Sequence, residues 1–307
     1  MNNFRTECVA FMNFCKAHCL QLFPPVYINI ARYLTVMADR VSAFGTIANK
    51  LSAICKFYAL TGFHVDSHNP TIELLVKSCR RDLSVSSRPK APLEPAHLIL
   101  IRDMLDYNVL THRLFFIALI IQFFGCLRKS NLLPPSARTF SPFKHLTRGD
   151  IHFVDGAIVL TLPWTKTLQH KNDIITIPIA DVPGAVINPV QLYKEFVQNF
   201  PLPPRMPAFA IAIPQKLIVL NQQEYVDILK FYLHKIGLPA DAYSSHSVRR
   251  GSATTMMQSG CSQQMIKRHG TWKSSCYERY ITVNHNDKLQ PTQKMVSYIN
   301  SIYGDSH

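Results

Sequence analysis

The chain has 307 residues, 47% of them hydrophobic and 17% charged, which excludes a disordered polypeptide and leaves room for two domains, each with its own core. Against 19 Asp and Glu stand 33 Lys and Arg, a formal charge of +14 that points to a polyanionic partner, nucleic acid first. The longest apolar stretch, Leu114 to Leu127, is interrupted by Gln122 and is shorter than the about 20 residues a membrane span needs. Met1 to Glu7 lacks the basic start and apolar core of a secretory signal, so an intracellular protein with reduced cysteines is expected.

In chain order, helices are predicted over Arg5–Leu22, stopping before Pro24-Pro25, then Asn29–Arg40, Ile47–Thr61 with Gly62 at its end, and Thr71–Asp82 opened by Asn69-Pro70. Together they make a small helical module, residues 1–83. Residues 84–92, from Ser84 to Pro92, are polar, basic and proline-punctuated, as a linker would be. A second domain, 93–307, then opens with helices over Glu94–Leu105 and Arg113–Cys126, the latter apolar nearly all round and hence buried. Ile151–Val154 and Ala157–Leu162 flank Asp155-Gly156, a hairpin signal, with a third strand at Ile174–Ile179. Helices follow at Pro189–Phe200 and Gln222–Lys235, and the proline-rich piece Pro201–Pro214 reads as a surface connection.

No C-x-x-C pair occurs, so zinc-ribbon and dithiol redox readings have no starting point. On a helix, Cys8, Cys15 and Cys19 share a face with Phe4, Phe11 and Leu22, which reads as core rather than as a metal site with His18.

The chemistry concentrates between Ser244 and Ile281. Ser244 or Ser245 caps a helix that carries His246 and Arg249 three residues apart, on one face, where both reach a single phosphate. Gly260 ends it, a short helix runs through Ile266, and Gly270-Thr271-Trp272 precedes a last helix starting near Ser274 or Ser275 that bears Tyr277 and Tyr280.

These residues resemble the tyrosine recombinases, or phage integrases. His246-Ser247-Val248-Arg249 resembles their H-x-x-R box, and Gly125-Cys126-Leu127-Arg128 the box of the first catalytic arginine. Lys166 with Thr167 is similar to the lysine of the family's β-hairpin, and Gly270-Thr271-Trp272 with Tyr277 to Ile281 to its closing box. The four boxes stand in the right order, the helical module ahead of the linker is similar to the family's core-binding domain so that the resemblance covers nearly the whole chain, and it is greatest to eukaryotic mobile-element versions of the Crypton and DIRS type.

The resemblance implies a mainly α fold with a small β-sheet: a helical, SAM-like core-binding domain and an α+β catalytic domain. It implies a site-specific recombinase that cleaves and rejoins DNA through a 3′-phosphotyrosine, without metal, ATP or other cofactor, as a homotetramer on two DNA duplexes. Neither a membrane nor a small-molecule substrate is implied. Arg128 and Arg249 would clamp the nonbridging oxygens as charge develops on them, because guanidinium forks carry a permanent charge and bind bidentately. Tyr280 would attack, Lys166 would protonate the leaving 5′-oxygen, and His246 and Trp272 would orient the phosphate. Lys50, Lys56, Arg80, Arg81, Arg88 and Lys90 are candidates for tracking the DNA backbone.

Two departures matter. Asn131 stands where many members carry an acid that supports the first arginine, so a hydrogen bond is expected in place of a salt bridge. His269 and Tyr277 offer the same eight-residue spacing as Trp272 and Tyr280; the Gly-x-Trp and Arg-Tyr-Ile context favours the second pair. Lys288–Tyr303 could form a helix that docks on a neighbour. The alternatives are a recombinase fold kept only for DNA binding and a topoisomerase that reseals without exchanging partners. A metal-dependent nuclease would need clustered carboxylates, and the sequence has no obvious cluster.

Overall fold

The computed structural model describes residues 2–41, 43–83, 90–163, 175–272 and 275–281. The chain divides into two compact units, Met1–Pro89 and Lys90–His307. Among the described residues no helix is long and apolar enough to cross a membrane.

The first unit is four helices, α1 (Asn2–Ala17), α2 (Tyr27–Ala38), α3 (Phe44–Leu60) and α4 (Pro70–Asp82). Its core is aromatic and aliphatic: Phe11 meets Tyr33 and Tyr58 edge-on, with centroids 5.2 and 6.1 Å apart, over Leu34, Ile47, Ile54 and Ile72. Asn69 caps α4 by accepting from Thr71 N–H at 3.0 Å, and Pro70 takes the first helical position. The first helix is shorter than its periodicity predicts. Cys19 sits at φ 51° and the N–H of Leu20 turns back to the Cys15 carbonyl, which ends α1 at Ala17, five residues early. Cys8 and Cys15 are buried as predicted core, whereas Cys19 is exposed beyond the helix.

The second unit opens with α5 (Pro95–Asp103) and α6 (Leu110–Phe124), then the short α7 (Lys129–Leu132). Every residue of α6 from Leu114 to Phe123 is buried, and α8 (Pro189–Asn199), α9 (Gln222–Lys235) and α10 (Ser245–Gln258) all pack against it. Strands β1 (Ile151–Val154), β2 (Ala157–Leu162) and β3 (Ile175–Ala180) form an antiparallel sheet in that order, with Val154 opposite Ala157 across the two-residue turn. Gly156 in that turn has φ 66°, the conformation a tight hairpin requires. On β2 the residues Ile158, Leu160 and Leu162 alternate inward onto the core.

A second hairpin, β4 (Ala210–Ile213) with β5 (Lys216–Val219), corrects the reading of Pro201–Pro214 as a surface connection. Ala208, Phe209, Ala210 and Ile211 are fully buried. The prolines flank a buried strand, and the turn is made by Gln215 at φ 69° where no glycine advertises it. The described residues end with α11 (Gln263–His269) and, in place of the predicted last α-helix, one 3-10 segment over Ser275–Tyr280. The predicted linker residues 84–89, the turn bearing Lys166 and the segment Lys288–Tyr303 lie outside the described residues.

Candidate active site

Three elements converge on Arg249. It is a guanidinium on α10 with 1% of its surface exposed, donating through Nη1 to the Cys126 carbonyl and through Nη2 to the Gly270 carbonyl at 2.5 Å. Cys126 lies between α6 and α7 at φ 48°, which carries its peptide out of the helical path. The indole of Trp272 stacks on the guanidinium with Cζ 4.1 Å from the ring centre, and the Tyr280 ring lies 5.6 Å away. A side chain at Gly270 would place its Cβ 1.7 Å from the indole, so glycine here is what lets Trp272 fold back over Arg249. The Gly-x-Trp spacing is thus a packing requirement.

The N-terminus of α10 is held as tightly. Ser244 caps it, accepting from His246 N–H at 3.2 Å, while Ser247 Oγ accepts from Ser244 N–H at 2.9 Å. Gly251 has no room for a Cβ, which would fall 1.8 Å from the Leu93 carbonyl, and the Leu93 N–H donates to Ser247 O. His246 is the exposed member of the group, its ring 6.4 Å from Tyr280. Shielding of its ring, then the charges of Arg128, Arg249 and Lys129, hold its pKa below the ordinary histidine value, so it is neutral near pH 7. The charges of three cations thus act on one imidazole.

Arg249, His246, Trp272 and Tyr280 are therefore brought together, and the charge of Arg128 acts on the same His246. Arg128 caps α7, partly exposed, and its own N–H donates to Asn131 Oδ1 at 3.2 Å. The hydrogen bond expected from Asn131 thus reaches the main chain of Arg128 and shapes the start of α7. Trp272 is 5% exposed, and its indole N–H has no acceptor among the described residues. The competing pair is placed differently. Tyr277 is buried with its hydroxyl donating to Gln263 at 3.0 Å, and the His269 ring is bonded to the Phe124 carbonyl at 2.7 Å. Lys166 lies in the segment between β2 and β3, outside the described residues.

Among the DNA-backbone candidates, Lys56, Arg80, Arg81 and Lys90 are exposed, with Arg80 stacked on Phe44 and Lys90 bonded to the Asp241 carbonyl. Lys50 is turned inward, ion-paired with Glu7 at 2.5 Å and only 12% exposed, so its charge serves the helical unit itself. Arg88 is outside the described residues. Two contributors escape the sequence reading. Lys129 adds a charge beside His246, and Gln122 is buried behind the site; the signal for Gln122 is its polarity inside an apolar helix.

No family model matches the chain. An integrase/recombinase xerD homolog from Selenomonas ruminantium is 27% identical over 280 residues, covering 88% of this chain and 77% of that protein. Among solved structures, the Tn1549 transposon integrase in complex with transposon right-end DNA superposes with a TM-score of 0.62 at 14% identity, covering 96% of this chain and 94% of that one. The XerH site-specific recombinase bound to palindromic difH substrate gives 0.62 at 14% identity, over 96% and 78%. A lambda integrase dimer bound to a core site gives 0.56 at 15%, over 91% and 87%. The chain has the fold of the tyrosine recombinases, mainly helical with small sheets, and the sequence relative and shared fold together support its place in the tyrosine recombinase/integrase family.

Proposed function

We propose that the chain is a site-specific DNA recombinase that breaks and rejoins DNA through a 3′-phosphotyrosine at Tyr280, without metal or ATP. One observation carries this reading: a buried, cross-braced Arg249 lies under the rings of Trp272 and Tyr280, with neutral His246 facing the same tyrosine. A scissile phosphate docked beside His246 meets the partly exposed guanidinium of Arg128 and lies in the field of the buried Arg249, which Trp272 and Tyr280 cover. Tyr280 Oη attacks phosphorus and neutral His246 is in the form that accepts its proton. The bond to the 5′-oxygen breaks, with Lys166 as the proton donor to that leaving group. The phosphodiester energy stays in the protein–DNA bond, so the reverse attack by a 5′-hydroxyl needs no nucleotide.

The relatives include structures solved with bound DNA, which supports double-stranded DNA as the partner. Strand exchange on two duplexes calls for four copies of the chain, and we place its action in the nucleus. The test is covalent trapping on a nicked suicide substrate in EDTA, comparing the wild type with Tyr280→Phe and Tyr277→Phe. An adduct lost only in Tyr280→Phe is expected. Salt-dependent binding without any adduct would assign the chain to DNA binding alone.

A further inference from the structure

Gln122 is the one polar side chain in the buried face of α6 between Leu114 and Phe123, and it is completely excluded from solvent. A primary amide costs stability in such a place unless its hydrogen bonds are made. They are made in three directions. Nε2 donates to the Leu127 carbonyl at 3.0 Å and to the Ser245 carbonyl at 3.3 Å, and Oε1 accepts from the hydroxyl of Tyr225. Leu127 immediately precedes Arg128, and Ser245 immediately precedes His246 at the start of the helix that bears Arg249. Tyr225, on α9, is itself fully buried and fixes the amide from behind. One side chain therefore ties together the two separate segments that deliver the positive groups of the site.

We infer that Gln122, anchored by Tyr225, is a positioning residue that sets the spacing between Arg128 and the His246 and Arg249 pair. The inference rests on the recombinase reading. A leucine would fill nearly the same space and pack in the same apolar surroundings, so simple burial does not require an amide here. What the amide adds is a fixed separation between two main-chain carbonyls, each one residue from a group that would touch the phosphate. Errors of an ångström in such a separation weaken the hold on developing charge.

The experiment measures single-turnover cleavage of the nicked suicide substrate by wild type, Gln122→Leu and Tyr225→Phe, with a parallel substrate carrying a neutral methylphosphonate at the scissile position. Thermal melting and DNA affinity are measured on the same preparations. Gln122→Leu is expected to cleave the ordinary substrate slower by on the order of 10- to 100-fold, with DNA affinity nearly unchanged because other phosphate contacts dominate it. Tyr225→Phe is expected to show a smaller loss in the same direction. On the methylphosphonate, where there is less charge to hold, both deficits should shrink. A deficit equal on the two substrates, or one that simply tracks the unfolded fraction, overturns the inference and leaves the recombinase reading intact. Failure of the wild type to form any adduct overturns that reading instead. Should Gln122→Leu not fold, Tyr225→Phe decides the matter, and an unchanged cleavage rate in it rejects the positioning role.

Discussion

Arg249 and Tyr280 belong to one site, yet the protein holds them by opposite means. Arg249 sits in the middle of a 14-residue helix, buried, with two guanidinium nitrogens on carbonyls from two other segments and an indole across its face. Tyr280 ends a six-residue 3-10 segment, is partly exposed, and its main-chain carbonyl accepts a long 3.5 Å bond from Thr254 Oγ1. Short 3-10 turns have poorer hydrogen-bond geometry than α-helices. On the proposed reading, the charge that would meet a phosphate is built in advance, and the group that would attack phosphorus is restrained lightly. Preorganised charge needs no rearrangement when the reaction occurs, which is where such electrostatic stabilisation is most effective.

Substitutions at four positions probe this contrast, the rigid side first. Arg249→Ala should reduce adduct formation by on the order of 10²- to 10³-fold, and Arg249→Lys should restore little because an ammonium cannot reproduce the two-pronged bonding to Cys126 and Gly270. Trapping on the nicked substrate reads both, and equal activity in Arg249→Lys would show that the charge matters and the fork does not. Gly270→Ala drives a Cβ into the indole and should destabilise the protein by about 1–3 kcal/mol, while slowing cleavage as Trp272 is pushed off Arg249. Thermal melting paired with single-turnover rates checks it.

The third probe is pH. The folded-state pKa of His246 is depressed, so below its unfolded value of about 6.5 the unfolded chain binds more protons and stability falls as pH drops, until the folded-state pKa is passed. His246→Gln should lack this component, so melting curves for the two proteins should diverge from pH 7 toward pH 5, with wild type losing more. Parallel curves would remove the three-cation field from the account. Smallest is Tyr277→Phe, which loses one hydrogen bond to Gln263, about 1 kcal/mol, and should leave cleavage intact. A lost adduct here would move the nucleophile to the buried side of the turn.

Much of the site is legible in the sequence because its residue types are dictated by chemistry. Arginine, histidine and tyrosine at these spacings have few other reasons to occur together, and Asp155-Gly156 between two alternating runs announces its hairpin. What is hidden depends on backbone atoms and positive φ angles. The carbonyls of Cys126 and Gly270 have no sequence signature, Cys19 and Gln215 adopt left-handed conformations usually left to glycine, and the prolines around Phe209 mask a buried strand. The competition between Tyr277 and Tyr280 is undecidable from spacing because a 3-10 turn puts residues three apart on one face. Their partners differ, Gln263 for one and Arg249 with His246 for the other.

The bond from Arg249 to the Cys126 carbonyl joins residues 123 apart, as does the contact of the Cys126 thiol with the Arg249 carbonyl. Contacts of such long range form late, after much of the chain has been made and the intervening loop has been closed. During synthesis Arg128 leaves the ribosome well before α10 exists. A nascent or truncated chain that ends before residue 245 holds one arginine of the pair and no assembled cradle. On the proposed reading, a chain that ends before residue 245 lacks groups that would engage a phosphate, and unfinished copies would not cleave DNA.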